Sequence, residues 1–118
     1  MTTRKAQCSC GQLTVTCEGE PVRVSICHCL ACQRRSGAPF AQQARWAADK
    51  VTILGRTTTY ARVGDSGGNA TFQFCPTCGS TVAFTVEKMP GFVAVAVGAF
   101  AEPGFHAPVI SFYEARKH

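Results

Sequence analysis

The sequence is short of the features that mark membrane-spanning and nucleic-acid-binding proteins. Its most apolar stretch, FVAVAVGAF at residues 92–100, has nine residues, about half the length that crosses a bilayer. Charged residues make up only 16% of the chain, and the longest basic cluster is the pair Arg34 and Arg35. We therefore expect no membrane association and no nucleic-acid partner.

The amino terminus, MTTRKAQCSCGQ, has no apolar segment, so we expect no secretory signal. The expected location is the cytoplasm, where cysteines bind metals more readily than they form disulfides. The 118 residues contain no internal repeat and no shift in composition. A single domain over residues 1–118 is the expected organisation.

The sequence has no segment in which apolar residues recur with the 3.6-residue period of a helix. It has instead short segments, separated by turn residues, in which apolar and polar residues alternate or β-branched residues predominate. These runs predict strands at 12–17, 22–27, 40–46, 51–54, 57–63, 70–74, 81–86, 92–97 and 109–114. At most one short helical turn is expected, at 30–36, and the terminus around Arg4 and Lys5 is expected to fray. Turn signals fall at 19–21, 64–68, 89–91 and 102–104. The pattern predicts an all-β fold, a small antiparallel β-sandwich or folded sheet with little or no helix, which metal staples would stabilise.

Cysteine, by contrast, is abundant, with eight residues in three groups and one apart. The groups are Cys8 and Cys10 in CSCG; Cys27, Cys29 and Cys32 in CHCLAC; and Cys75 and Cys78 in FCPTCG, while Cys17 stands alone. Two residues between thiolates let a tight turn direct both at one metal, and Gly79 supplies the permissive backbone that such a turn needs.

The spacing suggests two zinc sites of different kinds. Cys8, Cys10, Cys75 and Cys78 can close one four-thiolate site across the 64 residues that separate the two pairs. The triplet then forms a three-thiolate site with an open fourth position. Closed zinc sites are structural, whereas an open position can bind or activate a substrate. Two Zn²⁺ held by seven thiolates would lower the formal charge from +5 to about +2.

Three other uses of the cysteines stay open from the residues alone. They could form a disulfide framework, or hold iron or an iron–sulfur cluster. Cys17 could also be the missing ligand of the triplet, which would make both sites structural. Against this, Cys17 shares strand parity with Leu13 and Val15, so we expect it to point into the core.

In this order, the motifs CSCG at 8–11, CHCLACQRRSG at 27–37, FCPTCGS at 74–80 and GAFAEP at 98–103 resemble the glutathione-dependent formaldehyde-activating enzyme family, also called the GFA/CENP-V family. The resemblance covers about residues 6–113 and implies a tent-like all-β fold with two zinc ions. It implies structural zinc at Cys8, Cys10, Cys75 and Cys78, and catalytic zinc at Cys27, Cys29 and Cys32. The implied activity is carbon–sulfur lyase chemistry: in the type enzyme, glutathione and formaldehyde combine reversibly to S-hydroxymethylglutathione.

Two departures from the family pattern concern the identity of the thiol and the aldehyde. Members often carry a basic residue before the FCxxCG motif, where this chain has Ala70, Thr71 and Gln73. Members also often end in a segment containing tryptophan, whereas the single tryptophan here is Trp46. The zinc motifs themselves are unaffected by these differences.

Candidate substrate contacts surround the triplet. Arg34 and Arg35 can bind the carboxylates of a thiol such as glutathione, and Ser36 and Gly37 can offer hydrogen-bond donors. His28 alternates away from Cys27 and Cys29, so we expect it to orient a ligand or line a pocket rather than bind the same zinc. Solvated arginines and a packed histidine are the alternatives. The alternative function is a zinc-stabilised binding module without catalysis.

Overall fold

The fold is described by a computed structural model over residues 2–64 and 67–118. The strands are β1 (Thr3–Gln7), β2 (Thr14–Glu18), β3 (Arg23–Cys27), β4 (Ala41–Ala47), β5 (Val51–Leu54), β6 (Thr58–Val63), β7 (Asn69–Phe74), β8 (Thr81–Val86), β9 (Phe92–Ala96) and β10 (Ile110–Phe112). One α-helix, α1 (Leu30–Ser36), and three short 3₁₀ turns, at Ala48–Lys50, Val97–Phe100 and Glu114–Arg116, complete the described elements.

The strands form two sheets. The smaller sheet has the order β1-β2-β5, and the larger has the order β10-β3-β4-β9-β8-β7-β6. Neighbours pair antiparallel except β10, which runs parallel to β3. The all-β prediction is therefore confirmed, and the parallel edge strand is an addition to it. Within the described residues, no helix is long and apolar enough to span a membrane.

The nine predicted strands and the helical turn are present with shifts of a few residues at their ends. The expectation that the terminus frays is wrong, because Thr3–Gln7 forms β1 and pairs with β2. Ala6 is fully buried opposite Val15, and Arg4 bonds to Glu20 and Glu102. The predicted turn at 64–68 includes two residues, 65 and 66, that lie outside the described part of the chain.

The main core lies between the two sheets. Val15 of β2 and Leu13, which directly precedes that strand, pack with Ala44 and Trp46 of β4. The Trp46 Nε1–H donates to the carbonyl of Gly19 at 3.0 Å. Cys17 is fully buried in the same cluster, as its strand parity predicts. Burial raises the pKa of this thiol to about 12, as expected for a cysteine that packs as an apolar residue.

The other face of the larger sheet carries a different set of side chains. Because side chains alternate along a strand, the neighbours of Ala44 and Trp46 point away from the core. These are Gln43 and Arg45, which pair in register with Ser25 and Arg23 of β3. At the other end of this strand pair, Ala41 at the start of β4 pairs with Cys27 at the end of β3. The alternation and the register therefore place the first cysteine of the triplet on the same sheet face as two arginines.

Candidate metal centres and the adjoining cavity

Four cysteines meet where the loop after β1 touches the loop after β7. The Sγ atoms of Cys8, Cys10, Cys75 and Cys78 all lie within 4.8 Å of one another. The Cys10 sulfur is 3.6 Å from that of Cys8 and 3.7 Å from that of Cys75. Four thiolates around a zinc ion at about 2.3 Å would stand about 3.8 Å apart, whereas a disulfide needs about 2.05 Å. The arrangement fits a metal and not a disulfide.

Local backbone geometry aims this four-cysteine cluster. After the PTC turn at 76–78, Gly79 adopts φ 81° and its N–H donates to the Cys75 carbonyl at 2.8 Å, which closes the loop as the CxxCG motif predicts. The Gln12 side-chain N–H donates to the Cys75 sulfur at 3.0 Å. The Thr77 backbone N–H donates to the same sulfur at 3.3 Å. These donors favour a thiolate and fix its orientation.

The same donors set the pKa values of the second cysteine pair. Burial opposes ionisation of Cys75, but hydrogen bonds from Gln12, Cys78 and Thr77 lower the pKa of this thiol to about 7. A hydrogen bond from the backbone of Ser80, with a second from its side chain, lowers the pKa of Cys78 to about 5. Both thiols are thereby prepared to bind a cation.

A second cluster, the cysteine triad of Cys27, Cys29 and Cys32, forms where β3 leads into α1. Its three Sγ atoms lie within 4.8 Å of one another, and no fourth metal-binding side chain joins them among residues 2–64 and 67–118. Cys29 caps the helix, its sulfur accepting the Cys32 backbone N–H at 3.3 Å. Cys17 belongs to the core and not to this group. The triad is therefore a three-sulfur site.

Hydrogen bonds distribute charge unevenly within the triad. A hydrogen bond from Cys27 lowers the pKa of Cys32 to about 5, although burial acts in the opposite direction. Hydrogen bonds from Cys29 and Arg35 and the positive charge of Arg35 also favour the Cys32 thiolate. The hydrogen bond with Cys32 and burial together raise the pKa of Cys27. The Arg35 guanidinium donates to the Cys32 sulfur at 3.7 Å and stacks over Phe72 and Phe84 at 4.7 and 5.1 Å. Arg35 thus holds a positive charge against the triad.

The triad opens into a cavity of about 380 Å³ on the outer face of the larger sheet. Phe72, Phe84 and Phe112 supply much of its apolar wall. The charged side chains among its described lining residues are all basic: Arg23, Arg45, Arg62 and Lys88. The cavity has the size and the mixed apolar and polar lining of a small-molecule site.

The sequence matches the family model of the glutathione-dependent formaldehyde-activating enzymes over residues 3–116. The chain belongs to this family. A search of curated proteins finds no match. A crystal structure of a Rhodobacter sphaeroides protein superposes with a TM-score of 0.66 at 22% identity, covering 91% of this chain and 98% of the other. That likeness shows a shared fold.

Membership of the formaldehyde-activating enzyme family implies zinc, and the donor sets of this chain fit it. Both clusters consist entirely of thiols held a few ångströms apart, and thiolates suit Zn²⁺ well. The four-cysteine cluster supplies a full tetrahedral set. The triad supplies three sulfur ligands, the number that catalytic zinc sites take from the protein. The structure thus fits a metal at both places.

The residues on and after α1 that are expected to contact substrate lie outside the lining of the triad's cavity. Arg34, Ser36 and Gly37 are exposed on or after α1, and they are not among the residues that line the triad's cavity. Gly37 ends the helix with φ 69°. Arg34 and Arg35 line a separate depression with Phe72, and Ser36 and Arg35 line another with Phe40. Arg35 is the member of this group that the structure brings to the triad, through Cys32.

His28 lies against the carboxyl-terminal segment. It is 8% exposed, and its Nδ1 is 3.2 Å from the Phe112 carbonyl, 3.3 Å from the Ser111 hydroxyl and 3.7 Å from a Glu114 carboxylate oxygen. Its ring packs against Phe40 with centroids 6.0 Å apart. His28 is outside the group of sulfur ligands. In this family member the histidine links the triad loop to β10.

The four basic residues of the cavity wall have no motif in the sequence. One signal was available, because Arg23, Ser25 and Cys27 alternate along a predicted strand and so share a face. Arg45 could not be found this way, since its place beside Arg23 depends on how β3 and β4 pair. Long-range strand register is not encoded in a local spacing.

Proposed function

We propose that this protein joins a thiol and an aldehyde reversibly, as a carbon–sulfur lyase, at a zinc site formed by Cys27, Cys29 and Cys32. The observation that carries the proposal is the triad's three-sulfur set, without a fourth protein ligand among the described residues, at the wall of a cavity. When bound there, Zn²⁺ supplies a Lewis-acid position open to the substrate.

The reaction needs no oxidant and no consumed cofactor. In the forward direction the thiol sulfur forms a bond to the aldehyde carbon, the carbonyl π electrons move to oxygen, and the thiol proton ends on that oxygen. The reverse step breaks the carbon–sulfur bond and returns both reactants. A substrate thiol such as glutathione and formaldehyde fit this scheme through the family to which the chain belongs.

Residues of this chain prepare the site for that step. The Cys32 N–H holds the Cys29 sulfur, and the Arg35 guanidinium holds the Cys32 sulfur, so the three sulfurs keep a defined orientation. Phe72, Phe84 and Phe112 provide an apolar wall beside the sulfurs, against which a small substrate can pack. Contacts from His28, Arg34, Arg35, Ser36 and Gly37 to the substrate stay predictions.

The proposed role of the four-cysteine cluster is structural. Its ligands come from two loops, after β1 and after β7, and it does not line the triad's cavity. A bound Zn²⁺ would join the smaller sheet to the larger one at this point.

The test is the rate of adduct exchange with ¹³C-formaldehyde and glutathione, measured by NMR. We expect the wild-type protein to accelerate exchange and Cys29→Ser to return it to the uncatalysed rate, because the triad loses one of three sulfur ligands. Cys17→Ala is the matched control and should retain activity, since Cys17 lies in the core. Equal acceleration by wild-type and Cys29→Ser protein would exclude catalysis at the triad. A folded, zinc-loaded wild-type protein inactive towards a panel of thiols and aldehydes would favour the binding module.

A further inference from the structure

Arg45 is a buried cation whose guanidinium is only partly satisfied. The residue is 6% exposed, and its Nε and Nη1 atoms have no hydrogen-bond partner within the described residues. Its nearest aromatic contact is the Phe84 ring, at 5.9 Å from the guanidinium carbon. Arginine is almost never buried this deeply unless it is paired, because removing its charge from water is costly. The ring contact offsets only part of that cost.

A second arginine lies opposite it. Arg23 on β3 is in direct register with Arg45 on β4, a placement in which like charges destabilise a sheet. The Arg23 Nε is also buried without a partner among the described residues. Its Nη2 donates to the Met89 sulfur at 3.3 Å, and its guanidinium carbon lies 5.4 Å from the centre of the Phe112 ring. Burial and the charge of Arg23 lower the pKa of Arg45. No acidic side chain is found among the described residues that line this cavity.

The polar groups between the arginines and the triad are already satisfied. Gln43 and Ser25 form the next pair along the two strands, and the Gln43 amide donates to the Ser25 hydroxyl at 2.7 Å. Both residues are buried. Among the described residues that line this cavity, the buried nitrogens without a partner belong to Arg23 and Arg45, which sit further along the strands from Cys27.

We propose that Arg45 and Arg23 form an anion subsite that binds a carboxylate of the thiol substrate. Two guanidinium groups facing one cavity can each offer paired N–H donors to a carboxylate. An anion would satisfy the unpartnered nitrogens and separate the two like charges. The identity of the ligand as a thiol rests on the proposed function, whereas the charge of the subsite does not.

The subsite also sets the length of the ligand. Cys27 and Arg23 are four residues apart on β3, which places their Cα atoms about 13 Å apart. This separation suits a molecule that has its sulfur at the triad and its carboxylate several bonds away, as a small peptide thiol has. An uncharged thiol would leave the arginines unpaired.

The test is calorimetric binding of S-methylglutathione, a thioether with both carboxylates that forms no aldehyde adduct, to the zinc-loaded protein. We expect the dialkyl ester of the same molecule to bind at least about tenfold more weakly, since charged hydrogen bonds are lost. In Arg45→Met the acid and the ester should bind alike. Lys50→Met removes an equal charge from an exposed position and should preserve the preference for the acid.

Three results would overturn the subsite. The first is equal binding of acid and ester to the wild-type protein, and the second is an unchanged preference for the acid in Arg45→Met. The third is phosphate that binds in an Arg45-dependent way without displacing S-methylglutathione, which would assign the pair to a phosphate ligand. Arg45→Met should melt at or above the wild-type temperature without ligand, because an unpaired buried charge is removed. A fall of more than about 5 °C together with lost binding would make Arg45 structural.

These measurements separate the subsite from the reaction because binding needs no turnover. Arg45-dependent binding of the acid by a protein without adduct activity would refute only the proposed function. Adduct activity that is indifferent to Arg45 and to the carboxylates would refute only the subsite.

Discussion

Cys78→Ser should fail to fold to the native state and should bind less zinc than the wild-type protein. Cys78 is exposed, so the substitution makes no packing defect of its own, and any large effect must come from the metal. A structural zinc ion contributes on the order of 10 kcal/mol to folding, which is comparable with the whole stability of a small domain, about 5–15 kcal/mol. Circular dichroism and zinc content of the purified variant would measure both effects.

The size of this effect follows from what the four-cysteine cluster connects. Cys10 and Cys75 are separated by 64 residues, and closing a loop of that length without a staple costs chain entropy. Thr77→Ala, in the same loop but not among the four sulfur ligands, is the matched control and should fold normally. A Cys78→Ser protein that melts like the wild type would show that this cluster is not structural.

Truncation after Val109 should remove the metal of the triad while leaving that of the four-cysteine cluster. The deleted segment contains β10, whose Phe112 carbonyl accepts the His28 backbone N–H at 2.9 Å. It also contains Tyr113, which packs against the buried cluster of Cys29, Cys32 and Ala41. Without these contacts the end of β3 becomes a sheet edge, and the triad loses one wall. We expect zinc content to fall from two ions per chain to one, with adduct activity lost.

Deleting only Lys117 and His118 is the control for this truncation. These two residues are exposed, and they follow the last 3₁₀ turn, so zinc content and activity should be retained. If the longer truncation keeps both metals and full activity, β10 does not support the triad.

Local patterns in the sequence predict most of the strands and the two cysteine clusters. Strand alternation placed Cys17 in the core, and the CxxCG spacing predicted the turn that Gly79 completes. These features depend on residues close together in the chain, where side-chain parity and backbone freedom decide the outcome. The helix over Leu30–Ser36 is similar, since Cys29 caps it locally.

Features that depend on distant pairing were not predictable. The amino-terminal strand is held by burial of Ala6 against β2, and a run with a single small apolar residue gives little strand signal. Glu114 approaches His28 only because β10 lies parallel to β3. Arg23 and Arg45 likewise become neighbours through the register of β3 and β4.

The most direct test of the two-site arrangement is anomalous diffraction at the zinc edge from crystals of the full chain. We predict two peaks per chain. One should have the sulfurs of Cys8, Cys10, Cys75 and Cys78 at about 2.3 Å, and the other those of Cys27, Cys29 and Cys32 at the same distance, with no protein side chain as fourth ligand. A single peak, or a fourth protein ligand completing the triad, would contradict it.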